Sequence, residues 1–270
     1  MTEQETPINI SETESPAPVV AEERTMGTLD LSTEIDPEQS VSDPERGPVV
    51  DSVEPRWARI VSAVFSPILV PTYSMILALW LTDLSTLPES VRLGAATVVF
   101  LITGIAPMIA ILTLIKLGYV DEFDIPARHQ RYFPTVIMVL CFLGAAWYIY
   151  RAMAPVWLVM LFVAGAVSSL LLLAMNTRTK VSGHSLAMGT MLGMMIYIGA
   201  HGLSDVWITP WIVVVILLAG LVGSARLALD RHTPLQVALG MITGIVVTYF
   251  IMGLELFHRL LPKISPLVQP

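Results

Sequence analysis

Long apolar stretches recur along most of this chain, separated by short polar segments. A helix needs about 20 mostly apolar residues to cross a hydrocarbon core of about 30 Å. Windows that meet this requirement follow one another over residues 60–81, 93–115, 134–149, 156–175, 185–203, 206–227 and 234–256. We therefore expect an all-α integral membrane protein with about seven transmembrane helices. Pro67 and Pro71 are expected to bend the first helix or to make its first turns irregular.

The first 55 residues differ in composition from the rest. They carry fourteen acidic and two basic residues, no aromatic residue and no apolar run. Such a segment cannot bury enough apolar surface to offset the entropy of ordering it. We expect residues 1–55 to be a disordered acidic tail, residues 56–262 to be the transmembrane domain, and residues 263–270 to be a short C-terminal tail.

Composition excludes a soluble globular domain and narrows the choice of partners. Charged residues make up 14% of the chain and hydrophobic residues 54%, whereas about a quarter of the residues in soluble domains are charged. Residues 56–270 hold thirteen bases and eight acids, and this balance suits an anionic lipid or substrate. The expected partner is a membrane lipid, without nucleic acid, and the oligomeric state is not predicted. The single cysteine, Cys141, excludes an internal disulfide framework and a cysteine metal cluster.

Polar residues concentrate in loops that parity assigns to one side of the membrane. If each window crosses the bilayer, segments 116–131, 176–184 and 226–236 lie on the same side as the N-terminus. The positive-inside rule explains their basic residues by a cytoplasmic location. Convergence of the three loops on one polar site explains them equally well, and the two explanations are compatible.

Two of these loops carry motifs that resemble those of a known family. One is the segment 180–184, Lys-Val-Ser-Gly-His, which opens the fifth window. The other begins at Arg226, reaches His232 six residues later, and ends with Pro, Val and Gly at positions 234, 237 and 240. These segments resemble the second and third motifs of the type 2 phosphatidic acid phosphatase (PAP2) superfamily.

The resemblance extends over residues 60–256. The first family motif is matched only loosely, by Arg128, Arg131 and Pro134, and residues 66–73 are similar to a divergent bacterial branch of the superfamily. The resemblance implies a PAP2-like helical bundle in a bacterial inner (cytoplasmic) membrane.

The resemblance also implies hydrolysis of a lipid phosphate or lipid diphosphate through a covalent phosphohistidine, with no metal and no cofactor. It makes His232 the nucleophile and His184 the general acid, roles that suit a side chain titrating near neutral pH. The family has an acid four residues after the nucleophile, whereas this chain has Gln236, an amide that can orient the ring. The residues assigned to phosphate binding are Arg226, Arg131, Arg128, Lys180, Ser182 and Gly183.

Two observations in the last loop bear on the missing acid. Thr233-Pro-Leu-Gln236 fits a capping box for the final helix, which gives Gln236 a structural role as well. Asp230 is an alternative source of negative charge for His232 if the loop folds back.

Two other functions are compatible with the sequence. The chain is a catalytically silent lipid-headgroup binder if its departures from the family motifs abolish turnover. Asp121-x-x-Asp124 also resembles the magnesium-diphosphate loop of UbiA-type prenyltransferases, which need a second aspartate-rich loop. Segments 176–184 and 226–236 together contain one acid, Asp230. A prenyltransferase of this type requires magnesium, whereas the phosphatase is expected to work in EDTA.

Overall fold

The structure is a computed structural model that describes residues 54–119 and 132–260, with side chains up to residue 254. The expectations for nearly all of the acidic tail 1–55 and for the C-terminal tail 263–270 lie outside these ranges.

The described residues form helices and contain no β-strand. A 3₁₀ turn lies at Asp83–Thr86, and a π-helical segment at Leu101–Ile105 joins two α-helices, so that Glu89–Lys116 is one continuous helix. In chain order the α-helices are α1 (Arg56–Val64), α2 (Val70–Leu81), α3 (Glu89–Phe100), α4 (Ala106–Lys116), α5 (Tyr132–Arg151), α6 (Val156–Met175), α7 (Gly183–Ala200), α8 (Thr209–Ala228) and α9 (Pro234–Leu260).

Five helices of the described part are long and apolar enough to cross a membrane. They are Glu89–Lys116, Tyr132–Arg151, Val156–Met175, Thr209–Ala228 and Pro234–Leu254. The other two predicted windows correspond to α2, a shorter apolar helix, and to α7, which packs against α2, α6, α8 and α9. Because α7 is largely buried, it needs less apolar surface than a helix that faces lipid. The all-α membrane class is thus confirmed, while the count of seven crossings stays a prediction.

The first predicted window is a broken helix and not one continuous span. α1 ends at Val64 and α2 begins at Val70, with Pro67 between them and Pro71 in the first turn of α2. Proline has no N–H to donate and disfavours helical geometry at the preceding residue. The irregularity expected at these prolines is therefore an interruption of the helix.

The break affects the last carbonyl groups of α1, which have no partner further along the helix. Where such groups are buried, the protein itself must satisfy them. The Phe65 N–H donates to the carbonyl of Val61 at 2.9 Å, and the Tyr73 hydroxyl donates to the carbonyl of Val64 at 3.0 Å. Ser62, between these two acceptors, offers its carbonyl to a side chain of α7.

Glycines allow the backbones of α7 and α9 to approach closely. A Cβ atom at Gly240 would lie 2.6 Å from the carbonyl oxygen of Ser182, and one at Gly193 would lie 2.7 Å from a carbonyl oxygen of α9. Gly189 and Gly244 face backbone atoms just as closely, so each helix contributes a Gly-x-x-x-Gly pair. Because Gly240, in the second turn of α9, meets the N-cap and first turn of α7, the contact brings the segments before α7 and α9 side by side.

Candidate functional site

Three segments that are distant in sequence meet where α7 and α9 begin. A ring nitrogen of His232 lies 3.1 Å from the carbonyl oxygen of Lys180. A ring nitrogen of His184 lies 3.1 Å from the carbonyl oxygen of Ser62, and Nη1 of Arg226 lies 3.5 Å from the Ser62 hydroxyl. The two loops with family-like motifs are therefore adjacent, and α1 completes the site.

Hydrogen bonding fixes which nitrogen of His232 carries the proton. Nδ1 contacts the carbonyl oxygen of Lys180 at 3.1 Å and Oε1 of Gln236 at 3.3 Å. A carbonyl oxygen can only accept, so Nδ1 is the protonated nitrogen of the neutral ring. The other nitrogen, Nε2, then keeps its lone pair, which is the form that a nucleophile requires.

The surroundings of His232 also keep its ring neutral. Burial lowers the pKa of His232, as do the nearby charges of Arg226 and Lys180, while the hydrogen bonds to Lys180 and Gln236 partly oppose the shift. The resulting pKa is about 4, against an ordinary value of 6.5. At neutral pH the imidazole is therefore uncharged.

Gln236 connects the start of α9 to His232. Its side-chain Oε1 accepts from the backbone N–H of Thr233 at 3.1 Å, and its backbone N–H donates to the Thr233 hydroxyl at 3.4 Å. These two bonds confirm the predicted capping box. The backbone carbonyl of Gln236 also accepts from the backbone N–H of Ser182 at 3.3 Å. Asp230, the alternative source of negative charge for His232, is exposed and adopts a left-handed turn with φ of 50°. The partners of His232 Nδ1 are instead Lys180 and Gln236.

Arg226 is a buried cation in the last turn of α8. Its exposed fraction is 4%, and α1 covers it by packing Ala58 against Ala225 and Leu229. Ser62 follows Ala58 by four residues and therefore lies on the same buried face of α1. Sequence reasoning missed Ser62, and its only signal was its position as the one polar residue on that face.

The start of α7 positions His184. Because the Ser62 carbonyl can only accept, Nε2 of His184 carries a proton, and Nδ1 is the nitrogen that can exchange one. Ser182 is the N-cap of α7: its hydroxyl accepts from the N–H and from the hydroxyl of Ser185. Ser182 is fully buried and its N–H is bonded to α9, so its polar groups serve the fold.

A cavity of about 660 Å³ opens beside these residues. This volume is typical of a small-molecule site. Arg231 forms an ion pair with Glu54 at 3.1 Å at this end of the cavity. Among the residues that the structure describes, Arg59, Arg226, Arg231 and one carboxylate, that of Glu54, line this end. The resulting positive balance suits an anionic group. The polar end of the cavity is lined by Glu54, Arg59, Ser62, Gly183, His184, Arg226, Arg231 and His232.

The phosphate-binding residues expected from the sequence have three different placements. Arg226 and Gly183 line the cavity together with both histidines. Lys180 contributes its carbonyl oxygen to His232, and Ser182 caps α7. The remaining expectations, for Arg128 and Arg131 and for the aspartates at 121 and 124, lie outside the described residues.

Comparison of the chain with protein-family models, curated proteins and solved structures found no match. Membership of the PAP2 superfamily therefore stays a prediction that rests on the quoted motifs.

Proposed function

We propose that this chain is a membrane phosphatase that removes phosphate from a lipid phosphate or lipid diphosphate without a metal, using His232 as the nucleophile. The observation that carries the proposal is the pair of acceptors at Nδ1 of His232. They hold the proton on Nδ1 and leave the Nε2 lone pair for attack. The lowered pKa keeps that lone pair unprotonated at neutral pH.

In the first step, Nε2 of His232 attacks the phosphorus atom, and the bond from phosphorus to the lipid oxygen breaks. The planar guanidinium of Arg226 binds two non-bridging oxygens and stabilises the negative charge that develops on them. His184, protonated on both nitrogens, gives its Nδ1 proton to the leaving oxygen while the Ser62 carbonyl holds its Nε2–H. The products are the dephosphorylated lipid and a phosphohistidine.

In the second step, water attacks the phosphorus atom and the phosphorus–nitrogen bond breaks. The electron pair of that bond returns to Nε2 of His232, and the neutral His184 takes the proton that the water loses. Inorganic phosphate then leaves, and both histidines are back in their starting protonation states.

The test is phosphate release by the purified full chain in EDTA, against a panel of lipid phosphates and diphosphates. We expect His232→Ala to abolish release and the phosphoenzyme. His184→Ala should slow the reaction by about 100- to 10,000-fold, as loss of a general acid does. His201→Ala is the matched control, because His201 follows the opposite end of α7, stacked on Tyr197. Wild-type release by His232→Ala would refute the assignment of the nucleophile.

A second candidate is a silent lipid-headgroup binder. The observation in its favour is Gln236, whose amide oxygen gives the His232 ring no charge with which to stabilise imidazolium. Phosphate binding that depends on Arg226, without phosphate release from any lipid, would establish this alternative.

A further inference from the structure

The cavity continues from its polar end into the apolar interior of the bundle. Its inner walls come from α2, α4, α5, α6, α7 and the end of α3, and they are mostly apolar. Hydrocarbon is the chemical group that apolar walls accept at the least cost. Ser168, whose buried hydroxyl has no hydrogen-bond partner among the described residues, is a polar exception on α6. The inner lining includes Pro71, Phe100, Met108, Ile111, Met138 and Phe142.

The helices give the depth of this apolar part. Along α7 the lining extends from His184 to Thr190, which is about 9 Å at the rise of an α-helix. Along α6 it extends from Asn176 inwards to Gly165, which is about 16 Å. A fully extended chain advances about 1.2 Å per bond, so this depth corresponds to roughly eight to thirteen carbons.

Phe142 stands at the inner end of the cavity. A Cβ atom on Gly165 would lie 2.6 Å from Cε1 of Phe142, so the ring packs directly against the backbone of α6. A second void of about 20 Å³ shares Pro71, Phe142, Gly165 and Thr190 with the main cavity and is also lined by Ser74, Leu161 and Phe162. Phe142 has the largest side chain of the four shared residues, so its truncation would open the most space between the two voids.

We infer that the apolar part of the cavity holds the hydrocarbon chain attached to the substrate phosphate, and that Phe142 limits how many carbons fit. The inference rests on the proposed function for the position of the headgroup. It adds a substrate class, namely lipids whose chain enters the protein to a depth of about ten carbons. It also assigns Phe142 as the residue that sets chain-length preference.

The test measures binding of non-hydrolysable n-alkylphosphonates, from butyl to octadecyl, to the full chain in phosphatidylcholine nanodiscs. Thermal stabilisation by the ligand gives the Kd without any turnover. Wild type is compared with Phe142→Ala and with the milder Phe142→Leu. Leu140→Ala is the matched control, because Leu140 lies on the same helix and is 62% exposed on its outer surface.

The informative quantity is the Kd of wild type divided by the Kd of the variant at each chain length, since partition of the ligand into the bilayer cancels in this ratio. For Phe142→Ala we expect a constant ratio up to about ten carbons, followed by a rise of up to about fourfold for each added methylene that gains a place in the protein. Phe142→Leu should rise less, and Leu140→Ala should not rise.

Three results would overturn the inference. A ratio independent of chain length for both Phe142 variants, with short phosphonates still bound, would remove the chain site and leave the proposed function intact. An identical rise in Leu140→Ala would show that the effect is not specific to Phe142. Failure of wild type to bind any phosphonate would remove the anion site, and with it both proposals.

Discussion

Replacement of Gln236 by glutamate isolates the electrostatic contribution at the candidate nucleophile. Oε1 of Gln236 lies 3.3 Å from Nδ1 of His232, so a carboxylate at this position sets a negative charge against the ring. A glutamate three residues after Thr233 also preserves the capping box at the start of α9. The change of charge is therefore the main perturbation.

The size of the effect follows from this distance. A charge of opposite sign within a few ångströms raises a histidine pKa by about 1–3 units. Starting from about 4 in the present site, the pKa of His232 is expected to reach between about 5 and 7. Each unit corresponds to about 1.4 kcal/mol in favour of the charged ring. Because positive charge develops on the ring as the phosphohistidine forms, we expect kcat near pH 8 to rise about 10- to 100-fold in Gln236→Glu.

The assay measures kcat and kcat/KM of wild type and Gln236→Glu on one lipid phosphate as a function of pH. The substrate titrates identically with both proteins. The value for Gln236→Glu divided by the value for wild type, at each pH, therefore reports the enzyme alone. We expect this ratio to fall on the acid side, because the variant protonates His232 at higher pH. Gln236→Met, which is similar in size but accepts no comparable bond, is the control and should lose activity. A ratio that is independent of pH and near one would refute the reasoning.

The same titration predicts how stability depends on pH. The pKa of His232 is lower in the folded protein than its ordinary value of 6.5, so the unfolded chain takes up this proton first as the pH falls. The free energy of unfolding should therefore decrease between about pH 6.5 and pH 4. In Gln236→Glu this decrease should be smaller, which thermal unfolding at several pH values measures.

Two further substitutions test the geometry of the site. Arg226→Lys keeps the buried charge but loses the planar guanidinium, and we expect kcat to fall about 100- to 1,000-fold. The assay is phosphate release, with the exposed Arg178→Lys as the control. Retained activity in Arg226→Lys would contradict the role of Arg226. Gly240→Ala places a Cβ atom 2.6 Å from the Ser182 carbonyl oxygen, and this clash should shift the start of α7. We expect activity to fall up to about 100-fold and the free energy of unfolding to fall by about 1–3 kcal/mol. Gly253→Ala on the same helix meets no atom within 4 Å and should unfold like wild type; equal effects of the two glycine substitutions would refute the role of the close contact.

Local patterns in the sequence predicted much of this architecture. Apolar windows located the long helices, and the capping box at Thr233–Gln236 was predicted from residue spacing alone. The windows and the capping box depend on residues close together in the chain, where spacing translates directly into geometry. Helix parity predicted only that the two motif-bearing loops lie on the same side of the membrane, and their convergence on one site was one of two explanations that the sequence left open.

Other features depend on contacts that no local pattern encodes. Ser62 meets His184 and Arg226 across 122 and 164 residues of sequence, and only the packing of α1 on α8 brings them together. The glycine pairs of α7 and α9 are different, because the Gly-x-x-x-Gly spacing at 189–193 and 240–244 was a readable signal. What the sequence could not supply was that these two pairs face each other.

The broken first helix and the candidate site are two aspects of one feature. A continuous helix over this window would use the Ser62 carbonyl in its own hydrogen-bond ladder. The break at Pro67 releases that carbonyl, and Ser62 is buried, so its carbonyl needs a donor from the protein. His184 supplies the donor at 3.1 Å, so the cost of interrupting the helix is offset by a contact that also fixes the orientation of the ring. Arg226 uses the hydroxyl of the same serine, and one residue of α1 thereby aligns a candidate general acid and a candidate phosphate-binding group.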